Sequence, residues 1–127
     1  MKLFFLLVPC FVFAQNVQSL KEIKAPAKYE NIHVVKLSSD KHVTNFVIFV
    51  KNSVRAHKHL LHTETLFVLE GEARIKIGNE TRTIKSGDFI VVAEGIIHSV
   101  EVTSKIPLKV LSVQTPEFLG KDRIFWE

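Results

Sequence analysis

From residue 32 to residue 113 the apolar residues come in runs of four to eight, each closed by a turn signal, and this spacing restricts the chain to β-structure. The runs cover residues 32–37, 43–50, 65–69, 73–77, 81–84, 89–93, 97–102 and 108–113. The segment Glu72-Ala73-Arg74-Ile75-Lys76-Ile77 alternates strictly, so one face is expected to be buried and the other wet, and Gly78-Asn79 supplies a two-residue hairpin turn. Lys85-Ser86-Gly87-Asp88 and Glu94-Gly95 punctuate the following runs in the same way. No stretch supports a helix of three turns, and 16 valines and 11 isoleucines against six alanines lean the same way. Without a linker or a repeat in 127 residues, these eight strands predict one all-β domain over residues 32–127, a sandwich or barrel of the jelly-roll kind.

The N-terminal segment obeys other rules. Lys2 precedes an apolar run, residues 3–14, broken only by Pro9. A bilayer core needs about 20 apolar residues, so no stable membrane span is expected. Val12-Phe13-Ala14 ends the run as a signal peptidase requires, which predicts a signal peptide at 1–14, cleavage before Gln15, and an exported protein, periplasmic or extracellular. Cys10 follows Pro9 rather than a small residue, against lipid attachment, and reads as a hydrophobic filler; once it is removed no disulfide is available. Residues 15–31 are polar and form an N-terminal arm, with Pro26 closing its only helix-like stretch. The net charge of +4 is spread along the chain without a basic block, which sets nucleic acid aside as a partner.

The chemistry lies between Arg55 and His98. His57 and His59 are two apart, so on a strand both imidazoles share one face. Glu64 follows after a four-residue spacer suited to turning a corner, and His98 opens a later strand after the Gly95 turn. Three imidazole nitrogens and one carboxylate oxygen suit one divalent transition metal per chain (Mn, Fe, Co, Ni, Cu or Zn) and poorly suit Ca or Mg. Ligation needs neutral imidazoles, so metal affinity should fall as pH drops through about 6.5.

These residues resemble the cupin family. Its first motif, Gly-x5-His-x-His-x3 or 4-Glu-x6-Gly, is met by His57-x-His59-x4-Glu64-x6-Gly71. Its second, Gly-x5-Pro-x-Gly-x2-His-x3-Asn, is met by Gly87-x5-Ala93-x-Gly95-x2-His98-x3-Val102. The fifteen residues between them, 72–86, match the short intermotif region of single-domain microbial cupins. The resemblance implies a conserved jelly-roll β-barrel, His57, His59, Glu64 and His98 as metal ligands, and Gly71, Gly87 and Gly95 as turn residues. Lys51, Ala93 and Val102 stand where the motifs have glycine, proline and asparagine; they touch loop shape and pocket polarity and remove no ligand.

Arg55 shares strand parity with His57 and His59, which makes it a candidate to hold an anionic substrate, with a surface arginine in a loop as the equal alternative. His62, inside the ligand loop, is a candidate for substrate contact, a fifth ligand or a proton relay, although solvation is the expected state of a loop histidine at a barrel mouth. His33 and His42 have no partner in sequence and read as structural; Phe118, Phe125 and Trp126 read as packing. The favoured function is a metalloenzyme acting on a small-molecule substrate, of oxygenase or isomerase type, with Glu64 as the proton-handling catalytic residue. The alternative is a non-catalytic module that binds a sugar or another small ligand, since the fold alone does not choose. A homodimer is expected, paired through barrel edges or N-terminal arms.

Overall fold

The period-two pattern is realised as ten antiparallel strands in the computed structural model, which describes residues 17–126. The proposed signal peptide and Cys10 lie outside the described residues. In chain order the strands are β1 (Ile32–Ser39), β2 (Thr44–Val50), β3 (Ser53–His59), β4 (Thr63–Glu70), β5 (Glu72–Ile77), β6 (Glu80–Lys85), β7 (Phe89–Val92), β8 (His98–Val102), β9 (Leu108–Thr115) and β10 (Arg123–Phe125). All eight expected strands form, with ends displaced by a residue or two. Two more were not expected: β3, whose Ser-Val-Arg-Ala-His-Lys-His is too polar to register as an apolar run, and β10, three exposed residues with no pattern.

The strands make two five-stranded sheets, β1-β2-β9-β4-β7 and β10-β3-β8-β5-β6, packed face to face. Of the sandwich or barrel expected, the jelly roll takes an open form: the sheets meet where β4 approaches β6, but they do not join into a ring. At the other side β1 and β10, one from each sheet, are unjoined edges, and β10 is too short to close the gap. The inward faces supply one apolar core, with Leu66, Val68, Val92 and Val110 from the first sheet against Ala73, Ile75, Ile84 and Val100 from the second. Strand β5 shows the alternation as written, Ala73 and Ile75 buried between exposed Glu72, Arg74 and Lys76. Gly78-Asn79 forms the expected turn between paired Ile77 and Glu80, Gly78 taking a φ of +57°.

Strand β2 is buried on both faces, and the N-terminal arm explains why. Phe46 and Val50 point into the core, while Phe49 packs outward against His33, which in turn meets the Tyr29 ring. Lys109, 1% exposed, donates from Nζ to the Leu20 carbonyl at 2.7 Å and lies over the Phe49 ring. Lys51 donates to the Tyr29 carbonyl and sits 4.1 Å from that ring, so this side chain anchors the arm. His33 is a packing residue as expected, and His42 lies exposed in the β1–β2 turn. Among the described residues no helix is long and apolar enough to cross a membrane.

Gly71, between β4 and β5, has a φ of +82°, and a Cβ there would come within 2.7 Å of the Pro107 carbonyl oxygen. Gly71→Ala combines left-handed strain with a backbone clash and is expected to cost about 2–4 kcal/mol. Gly78→Ala, with open space around it, is expected to cost about 1 kcal/mol. Urea unfolding of the two variants checks the ranking, and equal midpoints would show that the close approach at Gly71 carries no weight.

Candidate metal centre

The two sheets each contribute to one buried polar cluster at the end of the core. From the second sheet, β3 brings His57 and His59 inward, and His98 on β8 is the direct cross-strand partner of His57. The first sheet brings Glu64 on β4 across to meet them. All four are buried, and one ligand atom from each lies within 4.8 Å of the others. The His57 and His98 ring centroids are 4.2 Å apart, and Glu64 Oε2 is 3.3 Å from His98 Nε2 and 3.5 Å from His59 Nε2.

The outer contacts fix which atoms face inward. His57 Nδ1 donates to the Arg55 carbonyl at 2.8 Å, and His98 Nδ1 donates to the Ile96 carbonyl at 3.0 Å. A ring that donates from Nδ1 carries its free lone pair on Nε2, the arrangement of metal-ligating histidines. His59 is more telling: it is 2% exposed and neither ring nitrogen has a hydrogen-bond partner. An orphaned buried imidazole is costly unless something electrophilic sits beside it. The donor set, three nitrogens and one oxygen, fits a divalent transition ion in just that place.

Electrostatics agrees. Burial pushes the His57 imidazole down from 6.5 to about 4, helped by the neighbouring His98, His59 and Arg123 charges and opposed by the bond to the Arg55 carbonyl. The expectation of protonation near 6.5 therefore fails for His57, which stays neutral in mildly acidic solution. Burial opposes the charge on Glu64, but the imidazoles of His59 and His98 and the Ser112 hydroxyl outweigh it and hold the carboxyl well below its usual range.

A second tier of buried groups holds Glu64. Ser112 Oγ donates to Glu64 Oε1 at 2.6 Å, and Gln114 Nε2 donates to the same oxygen at 3.3 Å. Because the carboxylate only accepts, the Gln114 amide must turn its carbonyl outward, where Oε1 accepts from His62 Nε2 at 2.7 Å. His62 Nδ1 in turn meets Asp122 Oδ2 at 2.6 Å, and Asp122 also accepts from the Leu61 backbone N–H. His62 is thus corrected from a solvated loop residue to one that is 2% exposed and stacked on His59 at 4.7 Å. Both its nitrogens are engaged by Gln114 and Asp122 rather than by the four-residue cluster, and His59, His62 and Asp122 form a second buried group close enough to hold an ion.

Arg55 is also relocated. Val54 pairs with Val100 and His57 with His98, so β3 spends one residue more than β8 over this stretch, a bulge that reverses the side-chain parity. Val54 consequently lines the cavity with His57, and Arg55 is exposed with its guanidinium 4.9 Å from the Phe125 ring. The cation that does line the cavity is Arg123, opposite His59 on β10. Ser112 and Gln114 were detectable in principle, because the inward positions of β9 run Leu108, Val110, Ser112, Gln114 and change from apolar to polar. Asp122 and Arg123 carry no comparable signal.

The pKa directions set the acid response of the metal-free fold. His57 takes a proton near 6.5 when unfolded and only near about 4 when folded, so the unfolded state gains protons first and stability falls as pH drops from about 6.5 toward 4. Glu64 acts in the same sense at lower pH, its contribution present above the ordinary carboxylate range and lost on acidification. The urea midpoint of the metal-free protein should therefore be lower at about pH 5 than at about pH 7, and an unchanged midpoint would contradict the assignment.

With the geometry in place, the chain can be set beside known proteins. The family model described as "Cupin domain" matches residues 46–114, which takes in all four clustered residues. An uncharacterized protein of Aquifex aeolicus is 30% identical over 112 residues, covering 87% of this chain and 92% of that one. A Klebsiella pneumoniae protein with a double-stranded β-helix domain superposes with a TM-score of 0.73 at 21% identity, over 87% of this chain and 96% of the other. The oxalate decarboxylase of Lactobacillus farciminis, solved with formate, superposes with a TM-score of 0.68 at 18% identity, over 80% of this chain and 33% of that one. The jelly-roll topology, the clustered histidines and glutamate and the match over residues 46–114 place the chain in the cupin family.

Proposed function

We propose that this cupin is a metal-dependent enzyme acting on a small molecule, with one divalent transition ion held by His57, His59, Glu64 and His98. The observation that carries the reading is His59, buried with both ring nitrogens unsatisfied and facing a carboxylate and two further imidazoles. A bound ion would supply Lewis acidity and, if redox-active, oxygen chemistry of the oxygenase type. The chain's own residues do the rest. His57 and His98 are oriented by their carbonyl partners, and Ser112 and Gln114 hold one oxygen of Glu64. That leaves Oε2 as the atom that would ligate the ion, and Glu64 would handle a proton only on loosening from it.

We infer further that the chain is exported, supported by Lys2 and the apolar run 3–14, and that it pairs as a homodimer. Phe67, Phe89 and Val91 support the dimer: they are exposed together on the outer face of the first sheet, the two rings 5.0 Å apart.

Elemental analysis tests the site. The parent should hold about one ion per chain, and His57→Ala, His59→Ala and His98→Ala should each weaken binding by at least about 100-fold. Glu64→Gln should retain the ion more weakly and lose turnover. Equal metal content in parent and histidine variants would remove these residues as ligands. Light scattering at tens of micromolar should give twice the chain mass, and protein from the native host should begin at Gln15; a monomer mass or an intact Met1 would each remove its inference.

A further inference from the structure

The four-residue cluster forms one end of a cavity of about 100 Å³ whose other walls are strongly one-sided in chemistry. Ten of its fourteen lining side chains are aliphatic, and the polar ones are His57, Glu64, His98 and Arg123. The hydrogen-bonding capacity of the first three is largely spent. Glu64 Oε1 is taken by Ser112 and Gln114, and Nδ1 of His57 and of His98 each serves a backbone carbonyl. Arg123 is different: it is exposed at the rim with its guanidinium 5.9 Å from the Phe118 ring, and among the described residues it has no ion-pair partner. It stands on the exposed edge strand β10, on the same face as His59. Across the gap between the sheets the cavity is bordered by Ile32 and Val34 of β1, which are 43% and 48% exposed.

We propose that this cavity takes a compact aliphatic monoanion, a short branched carboxylate or oxo acid, with its charge drawn to Arg123 and the cluster and its hydrocarbon body against the aliphatic walls; this rests on the metal-dependent reading above. Size and polarity both lead there. An apolar cavity of about 150 Å³ accommodates benzene, with six non-hydrogen atoms, so one of about 100 Å³ encloses roughly four, the hydrocarbon body of a short branched acid whose carboxylate then stands at the open rim. A sugar is excluded on chemistry, because each hydroxyl turned toward the aliphatic walls would lose its water partners and find none, at about 1–3 kcal/mol apiece on protein scales. A neutral apolar guest would use the aliphatic walls but gain nothing from the Arg123 guanidinium at the rim. A monoanion satisfies both halves of the cavity at once.

Methyl NMR titration of metal-free and zinc-loaded protein with isovalerate, 3-methyl-1-butanol and mannose tests this. Isovalerate should bind saturably to the zinc-loaded form and more weakly to the metal-free form, where the Glu64 carboxylate faces the same cavity uncompensated, with the alcohol at least about tenfold weaker than isovalerate in the zinc-loaded form and mannose not binding at all. Arg123→Gln, an exposed change that spares the core, should weaken isovalerate about tenfold and leave the alcohol unaffected. Mannose binding as tightly as isovalerate, isovalerate binding unchanged in Arg123→Gln, or no saturable isovalerate binding to either form would overturn the proposal. Arg123-dependent isovalerate binding in a protein that takes up no zinc would sustain the anion site and remove the metal function. Zinc uptake by the four ligands without preference for isovalerate would do the reverse.

Discussion

A single carboxylate crossing from one sheet to the other organises this molecule. Glu64 is the one ligand candidate supplied by the first sheet, and it is buried where an isolated charge would be prohibitively expensive. The fold meets that cost from both sides: three imidazoles face it from the second sheet, and Ser112 and Gln114 hold it from its own. All of those partners except His59 are in turn held, His57 and His98 by backbone carbonyls, Ser112 by Gln114 and Gln114 by His62. The polar end of the core is therefore a connected network, and the apolar remainder can be purely aliphatic because the hydrogen-bonding demand is concentrated at one end.

The fold was largely legible in residue order because its physical basis is local. Strand β5 and the Gly78-Asn79 turn obey the period-two rule and the hairpin rule, and nothing distant modifies them. The exceptions had tertiary causes. Strand β3 is polar because two of its inward residues, His57 and His59, belong to the polar cluster rather than the core, so a hydrophobicity pattern could not reveal it. Strand β10 exists only through its pairing with β3, and the open gap between β1 and β10 follows from its brevity.

The site divides the same way. His57, His59, Glu64 and His98 were readable because spacing along strands and turns dictates which of them can meet. Arg55 was misplaced by a one-residue bulge, which no composition rule announces and which turns every preceding side chain to the other face. His62 was read as solvated because its partners, Gln114 and Asp122, are 52 and 60 positions away; only the pairing of β4 with β9 and the course of the chain after β9 bring them to it. Arg123 has its place in the cavity from the same late segment.

The reach of the Asp122–His62–Gln114–Glu64 chain also bears on when the centre can come into being. Two imidazoles on β3 can attract an ion as soon as that strand is extended, but the groups that fix the carboxylate belong to β9 and to the turn beyond it. Contacts of such long sequence separation form late, after loop-closure entropy has been overcome. A half-folded chain accordingly offers only a loose, two-nitrogen grip that exchanges ions freely. If the cluster holds an ion, selectivity for one metal over another would be acquired only in the last steps of folding, and a change that slows the docking of β9 would lengthen the interval in which the wrong ion is held.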